Sequence, residues 1–325
     1  MNYPVTNRPS VGHSIIRFDG VSRSFGQQIA LNDVTFDVPV GVVFAMLGEN
    51  GAGKTTSIKT MLGNVRPNKG RATVMGMNPQ SESVDIRRRI GYVAEQPSLY
   101  DWMTVKELGW FAAGFYPDGY EAEFSRLAEN FGLPFRKKIS SLSKGMRAKV
   151  GLSLAMAHQP PLLILDEPTS GLDTLVRREF LESMVDMTAA GQTVFLSSHQ
   201  IPEVERVADI VAIMKGGRLL LVEDLATLKE SCREVIVTFE DAVNITTVAQ
   251  LAGSIVNYSI RGRQCACLLR TEEEESHYQL QDRPDVRTVD VRRPSLEDIF
   301  IGYMQSNEPP IAQLSDSLAS KEAVR

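Results

Sequence analysis

Apolar and polar residues follow two patterns between residues 13 and 225. Residues 14–18 and 34–38 alternate between apolar and polar side chains, which predicts half-buried strands. Three further runs are almost entirely apolar, as expected of strands covered on both faces: 41–47, 162–165 and 193–196. Each of these runs is followed by polar residues and then by a helical stretch. Strands that alternate with helices in this way predict an α/β fold with a mostly parallel sheet.

The pattern becomes helical over about residues 85–160. Thr104 and Glu107 fit a capping box, and Val105, Leu108 and Ala112 then recur at helical spacing. We therefore predict an inserted helical subdomain. Aromatic residues are frequent here, and we interpret most of them as the core of this subdomain: Tyr92, Tyr100, Trp102, Trp110, Phe111, Phe115, Tyr116 and Tyr120.

The pattern changes again after about Val222. Three short segments have the alternation typical of strands: 234–239, 254–260 and 265–269. The acidic run 272–275 reads as a solvated loop, and the last residues are polar without periodicity. We therefore predict three parts: a main domain over 13–225, a small α+β accessory domain over 226–304, and a disordered tail over 305–325.

Composition narrows the classes of function. The 325 residues are 43% hydrophobic and 23% charged, with a formal net charge of −5, which argues against a nucleic-acid partner. The N-terminal 20 residues lack the pattern of a secretory signal, and no run of about 18 apolar residues occurs. A role at a membrane would therefore act through a partner, from the cytoplasmic side.

Three cysteines, Cys232, Cys265 and Cys267, are too few for the disulfide framework of a secreted protein and favour a reducing compartment. Cys265 and Cys267 are two residues apart without a second Cys or His pair. Alternation along a strand explains this spacing better than a metal site does.

A glycine-rich stretch carries the clearest chemistry. Residues 48–55 match the phosphate-binding pattern G-x-x-x-x-G-K-[ST] in every fixed position, between a predicted buried strand and a predicted helix. Glycines let the backbone wrap around phosphate oxygens, so that successive N–H groups point at the anion. Lys54 is expected to reach the β- and γ-phosphates and the Thr55 hydroxyl to ligate Mg²⁺. The predicted nucleotide-binding residues of this stretch are Gly48, Asn50, Gly51, Gly53, Lys54, Thr55 and Thr56.

Two carboxylates, Asp166 and Glu167, directly follow the apolar strand 162–165. At the tip of a strand, Asp166 is placed to hold Mg²⁺, usually through water. Glu167 can orient and deprotonate an attacking water molecule. Adjacent acidic residues are common on surfaces, but a buried strand before them and a phosphate-binding loop upstream favour the catalytic interpretation.

A further segment narrows the choice among nucleotide-binding proteins. Leu142-Ser143-Lys144-Gly145-Met146 resembles the LSGGQ signature of ATP-binding cassette (ABC) proteins, although Lys144 and Met146 replace the usual Gly and Gln. The resemblance implies that Ser143 and Gly145 contact the γ-phosphate of ATP held by the opposite subunit of a dimer. It covers roughly residues 13–225 and implies a P-loop NTPase fold of the ABC type.

The same resemblance gives roles to other residues. Phe25 matches the aromatic residue that stacks on adenine, Asp173 lies in the loop that crosses the dimer interface, and His199 matches the histidine that contacts the γ-phosphate. Many relatives have glutamine where Glu95 stands, so the residue that senses the metal is either Glu95 or Gln96.

The resemblance also implies partners. Residues 97–104 are similar to the part that lines the groove for a permease, and either Tyr100 and Trp102 serve that contact or they only pack the subdomain. Residues 294–300 resemble the ending of bacterial exporter-type subunits. We therefore expect an ATP-hydrolysing subunit, a homodimer or heterodimer at the cytoplasmic face of the inner membrane, that energises a separately encoded permease.

Two other functions are compatible with such a cassette. One is a soluble ABC ATPase that acts on ribosomes or DNA, although a single P-loop and the absence of heptad repeats disfavour it. The other is a nucleotide-gated regulatory module that does not hydrolyse ATP, which the presence of Glu167 and His199 disfavours.

Overall fold

The computed structural model describes residues 14–248, 254–271, 278–281 and 283–306. The chain divides into two compact units, Met1–Val222 and Glu223–Arg325. The sequence predicted this boundary after residue 225, which is three residues later in the chain than the boundary in the structure. The predicted acidic loop and the part of the predicted tail that follows Ser306 lie outside the described residues.

The first unit combines two sheets with seven helices in its described residues. Its strands are β1 (Ser14–Phe25), β2 (Gln28–Pro39), β3 (Val43–Gly48), β4 (Lys69–Val74), β5 (Ile90–Val93), β6 (Leu162–Asp166), β7 (Thr193–Ser198), β8 (Ile210–Lys215) and β9 (Arg218–Asp224). Its helices are α1 (Lys54–Met61), α2 (Ser83–Arg89), α3 (Val105–Ala113), α4 (Tyr120–Asn130), α5 (Lys144–Met156), α6 (Thr174–Ala189) and α7 (Ile201–Val207), with a 3₁₀ turn at Ile139–Ser141.

The larger sheet has the strand order β5-β6-β7-β3-β8-β9, and strands β5, β6, β7, β3 and β8 are paired in parallel. This confirms the predicted α/β fold with a mostly parallel sheet. Because β6, β7 and β3 are neighbours and run in the same direction, the residues that follow them meet at one edge of the sheet. The phosphate-binding loop follows β3, the acidic pair ends β6, and His199 follows β7.

The smaller sheet is antiparallel, with the order β2-β1-β4. A row of phenylalanines connects it to the larger sheet, because Phe36 stacks on Phe18 at 4.7 Å between ring centroids and on Phe44 at 5.5 Å. Phe44 in turn stacks on Phe195 at 5.5 Å. These rings are nearly fully buried, so the two sheets share one hydrophobic core.

The predicted helical subdomain begins later than expected from the sequence. Residues 90–93 form β5, which pairs with β6 and belongs to the large sheet. A Cβ atom at Gly91 would lie 2.4 Å from the Ala155 carbonyl oxygen, so the glycine lets α5 pack directly on this short strand. Helices α3, α4 and α5 surround a separate core, and the predicted capping box between Thr104 and Glu107 is present.

The interpretation of most aromatic residues in this region as core was wrong. Tyr120 is buried, and Phe111 and Tyr116 are half-buried. The other five side chains are exposed: Tyr92, Tyr100, Trp102, Trp110 and Phe115.

The second unit contains a four-stranded antiparallel sheet with the order β11-β12-β10-β13. Its elements are α8 (Leu225–Ser231), β10 (Cys232–Phe239), α9 (Ile245–Val248), β11 (Ser254–Arg261), β12 (Gln264–Arg270), α10 (Tyr278–Gln281), β13 (Val286–Arg292) and α11 (Leu296–Gln305). The three strands predicted from the sequence match β10, β11 and β12. Cys265 and Cys267 are buried neighbours on β12, as strand alternation predicts.

Within the described ranges, no helix is both long and apolar enough to cross a membrane.

Candidate functional site

The phosphate-binding loop adopts a backbone that its glycines permit. Gly51 and Gly53 have positive φ angles of 82° and 116°, a region that side chains other than glycine rarely adopt. A Cβ atom at Gly53 would also lie 2.6 Å from the Ala30 carbonyl oxygen. Helix α1 starts directly after Gly53, so its unpaired N–H groups and the positive end of its dipole face the loop.

Lys54 is held inside the loop, with 5% of its surface exposed. Its Nζ donates to the carbonyl oxygens of Gly48 and Glu49, at 2.6 and 3.2 Å. The same nitrogen lies 3.1 Å from Oε1 of Glu167. The backbone of the loop therefore fixes a positive charge next to the predicted catalytic carboxylate.

The hydroxyl of Thr55 and the carboxylate of Asp166 form the second part of the site. Thr55 Oγ1 donates to Asp166 Oδ1 at 3.2 Å, and Ser197 Oγ donates to the same oxygen at 2.6 Å. Asp166 is 4% exposed, and these two hydroxyl groups stabilise its buried charge. A hydroxyl and a carboxylate oxygen side by side are ligands that suit Mg²⁺.

Glu167 has a strained backbone. Its φ angle is +48°, although it is not glycine and precedes Pro168. Such a conformation costs on the order of 1–3 kcal/mol and persists where the surroundings enforce it, often at functional sites. Ser197 supplies that enforcement, because its carbonyl oxygen and Oγ both accept from the Glu167 N–H, at 3.1 and 3.2 Å.

His199 holds the other oxygen of the same carboxylate. Its Nδ1 lies 2.7 Å from Glu167 Oε2, and its backbone N–H donates to that oxygen at 3.2 Å. A carboxylate can only accept, so Nδ1 carries the proton. The Gln200 amide nitrogen lies 3.1 Å from His199 Nε2, which fits Nε2 as the acceptor of a neutral ring. Glu167 is thus oriented by Lys54 on one oxygen and by His199 on the other.

These groups line a cavity of about 420 Å³, called here the nucleotide cavity. Of the residues predicted from the sequence, it is lined by Phe25, Asn50, Gly51, Gly53, Lys54, Thr55, Thr56, Glu95, Glu167 and His199. Gly48 lies at the end of β3 below the loop, and Asp166 contacts Thr55 beneath the cavity wall.

The two candidates for a metal-sensing residue, Glu95 and Gln96, line different cavities. Glu95 lines the nucleotide cavity, whereas Gln96 lines a different one. No cluster of three or more potential metal-ligating side chains occurs in the part of the chain that the structure describes.

Besides Gly48, Asp166 and Gln96, three more predicted residues do not line the nucleotide cavity. Ser143 caps α5 and accepts from the Met146 N–H at 3.2 Å, and Gly145 lies in the first turn of that helix, against Val176. Asp173 caps α6, where its carboxylate accepts from Leu175 and Val176. The structure does not bring these residues to the nucleotide cavity of their own chain.

Three residues that position the acidic pair, line the nucleotide cavity or contact its wall were not identified as site residues from the sequence. Ser197 positions both acidic residues, and Ser170 lines the nucleotide cavity. The guanidinium of Arg23 lies 4.5 Å from the ring centroid of Phe25, in a cation–π contact. The position of Ser197 at the carboxyl end of a predicted parallel strand was the available signal for its role.

A second cavity, of about 510 Å³, lies between β5 and helices α3, α4 and α5; it is called here the groove. The ring of Tyr116 stacks on Tyr120 at 4.6 Å and on His158 at 4.5 Å along its wall. Residues 96–99 line the groove, but Tyr100 and Trp102 do not. Both side chains are exposed, so they do more than pack the subdomain, and their contact with a permease stays a prediction.

Burial changes the acid–base properties of groups in the groove. Loss of solvent, together with the nearby charge of Asp166, raises the pKa of Tyr92 to about 12. Burial also lowers the pKa of His158, since the surroundings disfavour its charged form. The His158 Nε2 faces the carbonyl oxygen of Ile90 at 3.1 Å, and its buried Nδ1 has no hydrogen-bond partner among the described residues.

Comparison with known proteins places this site in a family. Residues 31–170 match the family model described as ABC transporter. The chain is 37% identical over 199 residues to an uncharacterized ABC transporter ATP-binding protein of Nostoc sp.. This match covers 59% of this chain and 59% of that protein. It is 31% identical over 301 residues to the Nod factor export ATP-binding protein I of Bradyrhizobium diazoefficiens, covering 87% of this chain and 94% of that protein.

A solved structure, described as the ATP binding subunit of an ABC transporter, superimposes with a TM-score of 0.62 at 33% identity. The match covers 66% of this chain and 92% of that one. The motifs, their geometry and these relatives agree, and the chain belongs to the family of ABC transporter ATP-binding proteins.

Proposed function

We propose that this protein binds ATP with Mg²⁺ in the nucleotide cavity and hydrolyses it, with Glu167 as the base that activates water. One observation carries the proposal: Glu167, on a strained backbone, is held by Lys54 at 3.1 Å and by His199 at 2.7 Å. A base must be positioned before it can take a proton from water, and here both carboxylate oxygens are oriented. A bound γ-phosphate would compete with Glu167 for Lys54 and leave the carboxylate free to accept a proton.

The surrounding residues support roles in binding. Phe25 is 47% exposed at the cavity wall with Arg23 on its ring, so an adenine can stack on the ring. Thr55 and Asp166 are the residues that would hold Mg²⁺, and Glu95 would approach it through water. Bound there, the ion neutralises charge on the β- and γ-phosphates.

We propose further that the active unit is a dimer, of identical or paralogous chains. Ser143 and Gly145 lie at the N-terminus of α5, a second helix start with anion-binding character, but outside the nucleotide cavity. In a head-to-tail arrangement this helix start would complete the phosphate contacts of the opposite chain. The Ser170–Asp173 loop, which reaches from the nucleotide cavity to the cap of α6, would lie in the interface.

The proposed membrane partner is a separately encoded permease that contacts the groove from the cytoplasmic side. The groove is concave and largely apolar or aromatic, which suits a helix end from another protein. The Bradyrhizobium relative is named for Nod factor export. By this likeness we propose that transport is export.

Phosphate release tests the catalytic proposal. Lys54→Ala and Glu167→Gln should each lower turnover at least 100-fold, on the order expected when electrostatic stabilisation or water activation is lost. Lys59→Ala and Glu182→Gln, exposed residues on α1 and α6, are matched controls that should keep wild-type turnover. Glu167→Gln should still bind ATP. Wild-type turnover in Glu167→Gln would remove this residue from the role of base.

The alternative functions give different outcomes. A regulatory module without hydrolysis would show no phosphate release in the wild type, even with Mg²⁺ and a membrane fraction present. A cassette that acts on ribosomes or DNA would co-purify with ribosomes or with DNA. We expect instead that the protein is retained on membranes and co-purifies with a permease after detergent solubilisation.

A further inference from the structure

Exposed aromatic side chains are concentrated in one short stretch of the first unit. Among the described residues six aromatic side chains are exposed, and two of them line cavities: Phe25 in the nucleotide cavity and Tyr92 in the groove. The other four occur within residues 100–115 and line neither cavity: Tyr100 at 49% exposure, Trp102 at 66%, Trp110 at 65% and Phe115 at 68%. Neither cavity therefore explains why these rings are in water.

Three of the four exposed rings, Tyr100, Trp102 and Phe115, are connected through Phe111. Tyr100 contacts Trp102, with 6.1 Å between the ring centroids, and packs edge-on against Phe111 at 5.4 Å. Phe111 packs in the same way against Phe115, also at 5.4 Å. Trp110 neighbours Phe111 on α3. Packing among the rings fixes them in place, so the surface is a preformed one.

Basic side chains lie beside these rings. Residues 134–138 run against residues 103–106: the Val105 N–H donates to the Lys137 carbonyl oxygen and the Lys106 N–H to that of Phe135, both at 3.1 Å. Arg136, Lys137 and Lys138 are exposed on this segment. Lys106 is exposed on α3, one turn before Trp110. We call the four exposed rings and these four basic residues the aromatic–basic patch.

The acidic residues of these segments offset only part of the positive charge of the patch. Asp101 forms an ion pair with Arg147, at 2.5 Å. Glu107 belongs to the capping box of α3. The pKa of Glu107 is lowered mainly by its hydrogen bonds from Thr104 and, to a smaller extent, by the positive charge of Lys138. Lys106, Arg136 and Lys137 have no carboxylate within 4.0 Å in the described ranges. A local positive charge therefore remains on a chain whose formal net charge is −5.

We infer that the aromatic–basic patch binds the surface of a lipid bilayer that contains anionic headgroups. Trp and Tyr rings are favoured at the boundary between headgroups and acyl chains, where their apolar body is buried and their polar atom stays hydrated. Unpaired Lys and Arg next to them attract anionic lipids within about one Debye length. Exposed aromatic rings and basic side chains occur together in the patch. The groove, in contrast, is concave, a shape that suits a segment of another protein.

This contact goes beyond the proposed coupling to a permease, because it requires no permease and no hydrolysis. It would hold the helical subdomain against the membrane and raise the local concentration of the subunit near its partner. A failure of lipid binding would leave the proposed catalysis untouched, and a failure of catalysis would leave lipid binding untouched.

The chain contains its own reporter for the experiment, because its only two tryptophans, Trp102 and Trp110, both lie in the patch. The purified full-length protein, without any permease, is mixed with vesicles of phosphatidylcholine or of phosphatidylcholine with one quarter phosphatidylglycerol. We expect the tryptophan emission to shift to shorter wavelength with the anionic vesicles and to be quenched by lipids brominated near the headgroup. Trp102→Phe and Trp110→Phe variants assign the signal to each ring.

Charge variants test the electrostatic part. Arg136→Gln with Lys137→Gln should weaken partitioning into anionic vesicles about 30-fold, since each basic residue near the surface contributes about fivefold. Arg88→Gln with Arg89→Gln, an equally exposed adjacent pair on α2, should leave partitioning unchanged. ATP binding by all variants verifies that they are folded.

Two results would overturn the inference. One is the absence of an emission shift with both kinds of vesicle, which would show that the patch does not bind lipid. The other is a shift only with vesicles that contain the co-purifying permease, which would make the patch a protein contact instead.

Discussion

The two cavities of the first unit have similar volumes, about 420 and 510 Å³, but opposite chemistry. The nucleotide cavity is built from a glycine loop, a helix start and charged side chains that hold one another: Lys54, Glu167 and His199. The groove is walled by stacked rings, with a histidine whose burial disfavours its charge. The nucleotide cavity suits an anion, and the groove suits a largely apolar surface.

This difference explains how one chain can take part in two processes. Charged groups fixed by backbone atoms act on a phosphate with little reorganisation, which favours catalysis. Aromatic and apolar walls gain free energy mainly when another surface excludes water from them. Residues 93–99 connect the two regions, since Glu95 lines the nucleotide cavity and its neighbour Gln96 lines the groove. The following predictions separate the two cavities experimentally.

Among the substitutions that separate the two cavities, blocking the groove is expected to have the largest effect. Ser98 is exposed and lines the groove, so Ser98→Trp fills part of it without disturbing the core. We expect stimulation of ATP hydrolysis by the permease to fall about tenfold or more, because an interface pocket is blocked. The affinity for ATP should stay within about twofold of wild type. The measurement is phosphate release with and without permease in proteoliposomes.

Ser259→Trp is the matched control, because Ser259 is exposed on β11 in the second unit. Undiminished stimulation in Ser98→Trp would show that the permease does not use the groove.

A smaller effect is expected at the wall of the nucleotide cavity. Phe25→Ala should raise the Kd for ATP about tenfold, since stacking of a base on an aromatic ring is worth on the order of 1–3 kcal/mol. Arg23→Ala, which removes only the cation behind the ring, should raise it about twofold to fivefold. Phe115→Ala removes an exposed ring outside the cavity and serves as the control. Unchanged affinity in Phe25→Ala, measured by calorimetry, would exclude adenine stacking there.

The smallest effect concerns His158. Burial lowers its pKa in the folded state, so the unfolded chain binds more protons near and below the ordinary histidine pKa of about 6.5. His158 therefore contributes stability above that pH, and this contribution is lost as the pH falls. Tyr116 and Tyr120, which face it, stay neutral in this range because burial raises the pKa of each.

We expect the free energy of unfolding to decrease more between pH 7.5 and 5.5 for the wild type than for His158→Gln. Urea titrations at both pH values measure the difference. Parallel pH profiles for the two proteins would show that protonation of His158 is not linked to folding.

Much of the nucleotide cavity was predictable from the sequence because its chemistry is local. The loop at 48–55 and the acidic pair at the end of β6 follow buried strands with clear apolar runs. The predicted parallel order then places the ends of these strands together. Phe25 and His199 were identified only through the resemblance to ABC proteins, since a single aromatic residue or a single histidine has no pattern of its own.

The remaining features depend on tertiary structure. The groove is lined by residues from Leu62 to His158, so no short motif describes it. The exposed rings of the aromatic–basic patch have the same composition as a core, and only packing distinguishes the two. Strand β5 is four residues long and was assigned to the helical region, because its pairing with β6 is not visible in so short a segment. The role of Ser197 in holding both acidic residues depends on the register of β6 with β7.

If a second chain completes the nucleotide cavity, as we propose, the Glu167→Gln variant should form a dimer with ATP, and light scattering measures this. Slow hydrolysis should preserve the γ-phosphate that bridges the chains, so the variant should have twice the monomer mass with Mg-ATP and the monomer mass with ADP. Adding Ser143→Arg, which places a long cationic side chain at the start of α5, should abolish the dimer while ATP still binds. A variant that stays monomeric at every ATP concentration would contradict assembly from two copies of this chain.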